Sequence, residues 1–404
     1  MTTARFDAIT LEELRARGGI KWSRHPGKIG AFIAEMDFGT APPITRALHD
    51  AVDEGAFGYL PPRLVGRLAE ACAEWYRTRY GWDVPASRIR PLPDVIAAFS
   101  ATIQYFTRPG SPIILPTPAY MPFLTVPLAY GRQIIQVPMR DTPEGPRYDL
   151  DALDRAFAAG GHLLVLCNPH NPIGRVLTRD EMLAISEVVQ RHDGRVFADE
   201  IHAPLVYPGH RHVPYASLSE VTAAHTITAT SASKAWNLPG LKCAQIIFSN
   251  EADLEIWFRV SGYAEFGTAN LGMIANAAAY TAGGPWLDEV IGYLDGNRKV
   301  LAELLAEHLP QVRYTPPEGT YLAWLDCRGL GLEVRPAQFF ADQADVILTG
   351  GEECGEAGTG FARFNFAMPR PIMRLAVERM AKAVAAHRRG DRAGKGIVGT
   401  AGAA

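Results

Sequence analysis

Three short stretches of this chain gather side chains able to do covalent or proton chemistry, and each follows an apolar run of strand length. The first is Ser231-Ala-Ser-Lys234, delivered by the β-branched run Thr226-Ile-Thr-Ala-Thr230 and followed by the turn signal Pro239-Gly240. A lysine held among small hydroxyl residues sheds its proton more easily than one in water, and its neutral amine attacks carbonyl carbon. Two hydroxyls and a second cation, Lys242, could hold an anion such as phosphate. The second stretch is Asn168-Pro-His-Asn-Pro-Ile-Gly174, a proline-stiffened loop after His162–Leu166, and the third is Asp199-Glu-Ile-His202, after Arg195–Ala198. A carboxylate at a buried strand end is costly unless a cation or donor faces it, and a protonated ring nitrogen would be such a partner. Taken singly, the first two stretches also have plain readings: a strand end whose lysine points at solvent, and a proline-stiffened turn.

The elements that must position these residues are read from hydrophobic pattern. Apolar runs at Ser111–Leu115, Gln133–Val137, His162–Leu166, Arg195–Ala198, Thr226–Thr230 and Ala244–Phe248 alternate with segments that include the helices predicted at Leu150–Ala159 and Arg179–His192. Continuous apolar strands joined by helical crossovers indicate an α/β fold, with a mostly parallel central sheet covered by helices on both faces. Ligands then bind at the carboxyl ends of the strands. Upstream, a short helix is predicted at Leu11–Arg17, a strand over Ala31–Phe38, a helix from Pro42 to Asp53, and an amphipathic helix over Leu64–Arg79. Downstream, long helices at Trp286–His308 and Pro371–Arg388 flank a strand-and-turn region and suggest a smaller α+β domain. The expected division is 1–45 joining the small domain, 46–285 as the large domain, 286–388 as the C-terminal small domain, and 389–404 as a Gly/Ala-rich disordered tail.

With 404 residues, 48% hydrophobic and 21% charged, the chain has room for about two domains. Its net charge of −3 gives no field to recruit nucleic acid or an anionic membrane. There is no cationic lead with an apolar h-region and no run approaching 18 apolar residues, so a cytoplasmic protein is expected. The five cysteines, Cys72, Cys167, Cys243, Cys327 and Cys354, are scattered and form no Cys-x-x-Cys pair, which indicates reduced packing residues rather than disulfides or a metal site. His210-Arg-His212 reads as a solvated loop, and the glycines from 350 to 360 lack the strand-then-helix setting of a dinucleotide fingerprint.

Taken together and in order, Asn168 to Gly174, Asp199 to His202 and Ser231 to Lys234 resemble the aminotransferase class I/II superfamily of pyridoxal-phosphate enzymes. Ala34-Glu-Met-Asp-Phe38, Phe57-Gly-Tyr59, Pro116-Thr-Pro-Ala-Tyr-Met-Pro-Phe123, Glu318 to Asp326 and Gly360 to Phe366 bring the resemblance closest to its C–S lyase (cystathionine β-lyase) branch, over about residues 5 to 388. The resemblance implies an aspartate-aminotransferase-like fold with pyridoxal 5'-phosphate as cofactor. It assigns Lys234 as the Schiff-base lysine, Asp199 as partner of the pyridinium nitrogen, and Asn171 as partner of the phenolic oxygen. His202 stands where the lyase branch has histidine and aminotransferases commonly have tyrosine. Phosphate would be held by Ser231, Lys242, the N–H groups of Ile96 and Ala97 at a helix head, and Tyr59 from the other subunit of a homodimer. Tyr120 would stack on the ring and Arg363 would bind the α-carboxylate of an amino-acid substrate, with Tyr59 and Asn171 beside it.

Two strings depart from that branch. Leu60-Pro-Pro-Arg63 follows Tyr59 where a serine and an aromatic residue are usual, and Asp94 replaces a glycine beside the expected phosphate. The reaction implied is α,β-elimination of a sulfur leaving group from a cysteine S-conjugate, giving thiol, pyruvate and ammonia. The alternatives are an aminotransferase running through the same carbanion, and a non-catalytic regulatory protein on the same fold.

Overall fold

The computed structural model describes residues 4–142 and 145–390. Its centre is a seven-stranded sheet in the order β2-β8-β7-β6-β5-β3-β4. The strands are β2 (Ile89–Leu92), β3 (Ile113–Thr117), β4 (Ile134–Pro138), β5 (Leu163–Cys167), β6 (Arg195–Asp199), β7 (Thr226–Thr230) and β8 (Ala244–Phe248). Every pairing from β4 to β7 is parallel, whereas β8 runs antiparallel to both β7 and β2.

Alternation along the strands explains the two covered faces. Ile113, Leu115, Leu163, Val165 and Phe197 pack on one side with Phe99 and Trp257. Ile114, Leu164, Leu166, Val196 and Ala198 pack on the other, against side chains from the helices Leu150–Ala158 and Arg179–Arg191. Each fully buried Leu, Ile or Phe contributes about 1.5–3 kcal/mol, so the sheet is a rigid platform for whatever stands at its edge.

A second sheet, in the order β12-β13-β10-β9, is antiparallel and is built from β9 (Arg313–Tyr314), β10 (Leu322–Asp326), β12 (Thr349–Gly350) and β13 (Phe361–Asn365). The N-terminal segment joins this end of the molecule, because β1 (Ile29–Gly30) pairs in parallel with β11 (Val346–Ile347). A single apolar cluster runs from Phe6 and Trp22 through Leu68 and Trp236 to Phe364 and Met380, so the C-terminal elements share a core with the helices Pro62–Tyr80 and Asn270–Ala282.

The predicted helices appear at Leu11–Arg17, Pro42–Asp53, Pro62–Tyr80, Gly284–His308 and Arg370–Arg388. The strand predicted over Ala31–Phe38 does not. There the chain is largely buried but irregular: backbone bonds hold its ends, from the Ala31 N–H to the Ile347 carbonyl at 2.9 Å and from the Asp37 N–H to the Ala367 carbonyl at 3.1 Å, and side chains satisfy much of the backbone between. Asn365 donates to the carbonyls of Ile33 at 2.6 Å and Glu35 at 2.7 Å, while Asn237 both accepts from the Met36 N–H and donates to its carbonyl at 2.9 Å. Several elements had no clear signal, three of which matter here. Edge strand β2 carries Pro91, which an edge tolerates. The helix Glu251–Ala264 was not anticipated, and neither was Asn270–Ala282, an alanine-rich helix buried along most of its length that has no polar face to give a periodicity. From 391 on, the expected tail lies outside the described residues.

Candidate active site

The carboxyl ends of β3, β5, β6 and β7 open onto one cavity of about 580 Å³. Its wall includes Ile96, Tyr120, Asn171, Asp199, His202, Ser233, Lys234, Lys242 and Arg363. The register places them: Cys167 pairs with Asp199, and Asp199 with Ala229, so the Asn171 loop, Asp199 and the Lys234 turn leave adjacent strands at one level.

Lys234 donates from Nζ to the Ala34 carbonyl at 3.1 Å. That carbonyl also accepts from the Tyr321 hydroxyl at 2.9 Å. Burial, reinforced by the positive charge of Arg363, brings the Lys234 ammonium down to about 8, against the weaker opposing pull of Glu35 and Asp199. An amine so tuned is partly neutral near physiological pH and able to act as nucleophile or base.

Asp199 is buried, and burial pushes its carboxyl up to about 6. The contacts of its carboxylate are the Ile201 N–H at 3.1 Å and the Cys167 thiol at 3.8 Å, neither of them a cation. A carboxylate held this way suits a protonated ring nitrogen as its partner. Arg363, also buried, donates to the Asn171 side-chain oxygen at 3.0 Å, the Phe32 carbonyl at 2.8 Å and the Thr349 hydroxyl at 3.0 Å. Its Nε has no partner, and neither does the Nδ1 of His202. Burial, with Lys234 and Arg363 nearby, lowers His202 to about 3, so that imidazole is neutral. Burial raises the Tyr120 hydroxyl, whose ring stands edge-on to Phe123 at 5.6 Å.

Three residues expected at the site are not among those lining the cavity. Ser231 donates to the Cys243 carbonyl at 2.7 Å and accepts from the Ser233 N–H at 3.0 Å, so Ser233 takes its place on the wall. The Ala97 N–H is occupied by the Asp94 carboxylate at 2.8 Å. Tyr59, at 87% exposure, lies outside on the surface against Phe266. The pattern search also missed the wall supplied by the chain ends, where Arg24, His25, Phe32 and Glu35 meet Ile347, Thr349 and Glu353. Only Ala34 to Phe38 had given any sign of that wall. The His210–His212 loop differs from expectation too: His212 is buried with Nε2 3.2 Å from the Glu200 carboxylate. No group of side chains fit to hold a metal occurs among the described residues.

Comparison with known proteins gives this geometry a family. The model of the aminotransferase class I and II family matches residues 30–380. The chain belongs to that family. Its relatives include a cystathionine beta-lyase of Corynebacterium glutamicum, 41% identical over 92% of this chain and 98% of the relative. The cystathionine beta-lyase PatB of Bacillus subtilis is 33% identical over 88% of this chain and 93% of its own length. Among solved structures, the PLP-bound C–S lyase of Staphylococcus hominis superposes with a TM-score of 0.86 at 28% identity, covering 94% of this chain and 97% of that one. The fold is thus aspartate-aminotransferase-like, and the C–S lyases are the branch that the chain resembles throughout.

Proposed function

We propose that this protein is a pyridoxal-phosphate-dependent C–S β-lyase that cleaves a cysteine S-conjugate by α,β-elimination to a thiol, pyruvate and ammonia. The observation that carries the reading is the pairing of Lys234, tuned to about 8, with a buried Asp199 carboxylate that has no cation against it on the same wall. The similarity to cystathionine β-lyases along nearly the whole chain supports the same choice.

Bound pyridoxal phosphate supplies an electron sink for a carbanion at the substrate's Cα. Lys234 would hold the cofactor, and its Nζ would take the Cα proton of the substrate. Asp199 would keep the ring nitrogen protonated, and Asn171, whose side-chain oxygen already accepts from Arg363, would offer its amide N–H to the phenolic oxygen. Tyr120 would cover the ring face, and neutral His202 lines the same cavity. Arg363 presents its guanidinium fork to the α-carboxylate. Ile96 N–H, Ser233 and Lys242 receive the phosphate, with Tyr59 reaching it from a second subunit of a homodimer. The segment 46–285 then serves as the cofactor-binding domain, with 1–45 and 286–388 as the smaller domain that closes on it. No helix of the described residues is long and apolar enough to cross a membrane, and five unpaired, buried cysteines suit a reducing cytoplasm.

The deciding experiment supplies cystathionine or an S-alkyl cysteine without any keto acid and follows thiol, pyruvate and ammonia. Sustained release over many turnovers is expected. Turnover that occurs only when a keto acid is added, with no thiol from any conjugate, would replace this reading by an aminotransferase.

A further inference from the structure

The end of the cavity reached by Lys242 already holds an anion of its own. Asp94 caps the helix Val95–Tyr105: its extended backbone turns the carboxylate onto the Ala97 N–H at 2.8 Å. The other carboxylate oxygen accepts from Lys242 Nζ at 3.1 Å. Lys242 is brought there by the turn Pro239–Leu241 and stands in the left-handed region at φ 48, an unusual conformation for a side chain as long as lysine. The cation and a helix-head N–H expected to receive a phosphate are therefore both engaged by a tethered carboxylate. Val95 and Ile96 still have first-turn N–H groups without intrahelical acceptors, and both residues line the cavity with Ser233.

We propose that Asp94 is an internal competitor for the cofactor phosphate. With the phosphate absent, it occupies the helix head and holds Lys242 in place. A phosphate that binds must share or displace both contacts while a like charge stays within the same few ångströms. The consequence is a cofactor held less tightly, and exchanged more readily, than the same site would hold it with a neutral residue. Because the Asp94 and Lys242 side chains are 43% and 60% exposed, solvent screens the effect. A change of roughly three- to tenfold in cofactor affinity is expected from one such contact near a surface.

This inference rests on the cofactor reading, and its test separates the two. Holoenzyme is dialysed to equilibrium against graded pyridoxal phosphate, and bound cofactor is read from its visible absorbance for wild type, Asp94→Asn, Asp94→Ser and Lys242→Gln. Asparagine and serine both keep a capping oxygen for the Ala97 N–H while removing the charge. Both should tighten binding by the stated factor, the gain should shrink as salt rises, and unphosphorylated pyridoxal should show no gain. Lys242→Gln should weaken binding. Equal or weaker binding of both Asp94 variants, with unfolding curves like the wild type, would overturn the proposal, as would an equal gain for unphosphorylated pyridoxal. Failure of every protein, wild type included, to bind pyridoxal phosphate would instead overturn the cofactor reading, and this inference with it.

Discussion

Single residues set the chemistry, and the clearest case is the lysine whose ammonium is discouraged by burial. Its amine attacks only when neutral, so capture of pyridoxal phosphate by cofactor-free protein should accelerate as pH rises through about 8 and level off above it. Stopped-flow absorbance across pH 6 to 10 checks this; a midpoint near the ordinary lysine value would contradict the buried setting. Lys234→Ala should lower kcat at least about 10²-fold, the lower end of what a positioned base supplies. Arg363→Lys removes a planar fork that is already oriented by Phe32, Thr349 and Asn171. Steady-state kinetics should show kcat/KM down by about 10- to 100-fold, from the loss of roughly 1.5–3 kcal/mol in charged hydrogen bonding. Lys234, Asp199 and Asn171 were legible in sequence, because each sits in a short local string after a strand signature, whereas Arg363 came only through the resemblance. The place of Ser231 was less legible: two serines flank one alanine, and which of them lines the cavity depends on the Cys243 carbonyl, a contact across strands that no local pattern carries.

At the level of elements, the parallel strands and their crossovers were readable because continuous apolar runs alternate with amphipathic ones. The β7 and β8 boundaries agree to the residue. What escaped was structure whose stability comes from elsewhere in the chain. The segment 31–38 looks like a strand because it is apolar, yet between its ends much of the backbone is satisfied by side chains, those of Asn237 and Asn365 among them, more than 190 residues on. Asn365→Ala should therefore behave as a stability mutation with a functional consequence. It removes one donor each from the carbonyls of Ile33 and Glu35, which keep the Glu35 N–H and Lys21 Nζ, and the acceptor of the Ala367 N–H, each net hydrogen bond being worth about 0.5–1.5 kcal/mol. Thermal unfolding should shift down, and substrate KM should rise because Ala34 and Phe32 hold Lys234 and Arg363. A variant with native Tm and native KM would show that the segment has other anchors.

Over the whole molecule, the described surface leaves Phe57, Tyr59, Phe258 and Phe266 exposed at 56–87%. Tyr59 and Phe266 touch, and together with Phe57 they border a groove that also includes Lys242. An apolar patch ending at the phosphate side of the cavity is what a two-fold dimer needs if each subunit completes the other's site. Sedimentation at working concentration should give a dimer, and Phe266→Glu should shift it toward monomer with a parallel loss of cofactor. An active Phe266→Glu monomer would remove Tyr59 from the site. Sequence suggested this assembly only through the resemblance, since exposure is a property of the folded surface and not of any local string.

The wall that holds Lys234 and Arg363 is drawn from both extremities of the chain: β1 pairs with β11, and Ala34 and Phe32 grip side chains 200 and 331 positions away. A polypeptide leaving the ribosome can build the seven-stranded sheet early, since its last strand ends at Phe248. It cannot finish the pocket until β13 has emerged. The pocket is therefore completed late in synthesis, and a product that stalls before Arg363 would carry the strands of the sheet without the part of the wall that orients a guanidinium at the site.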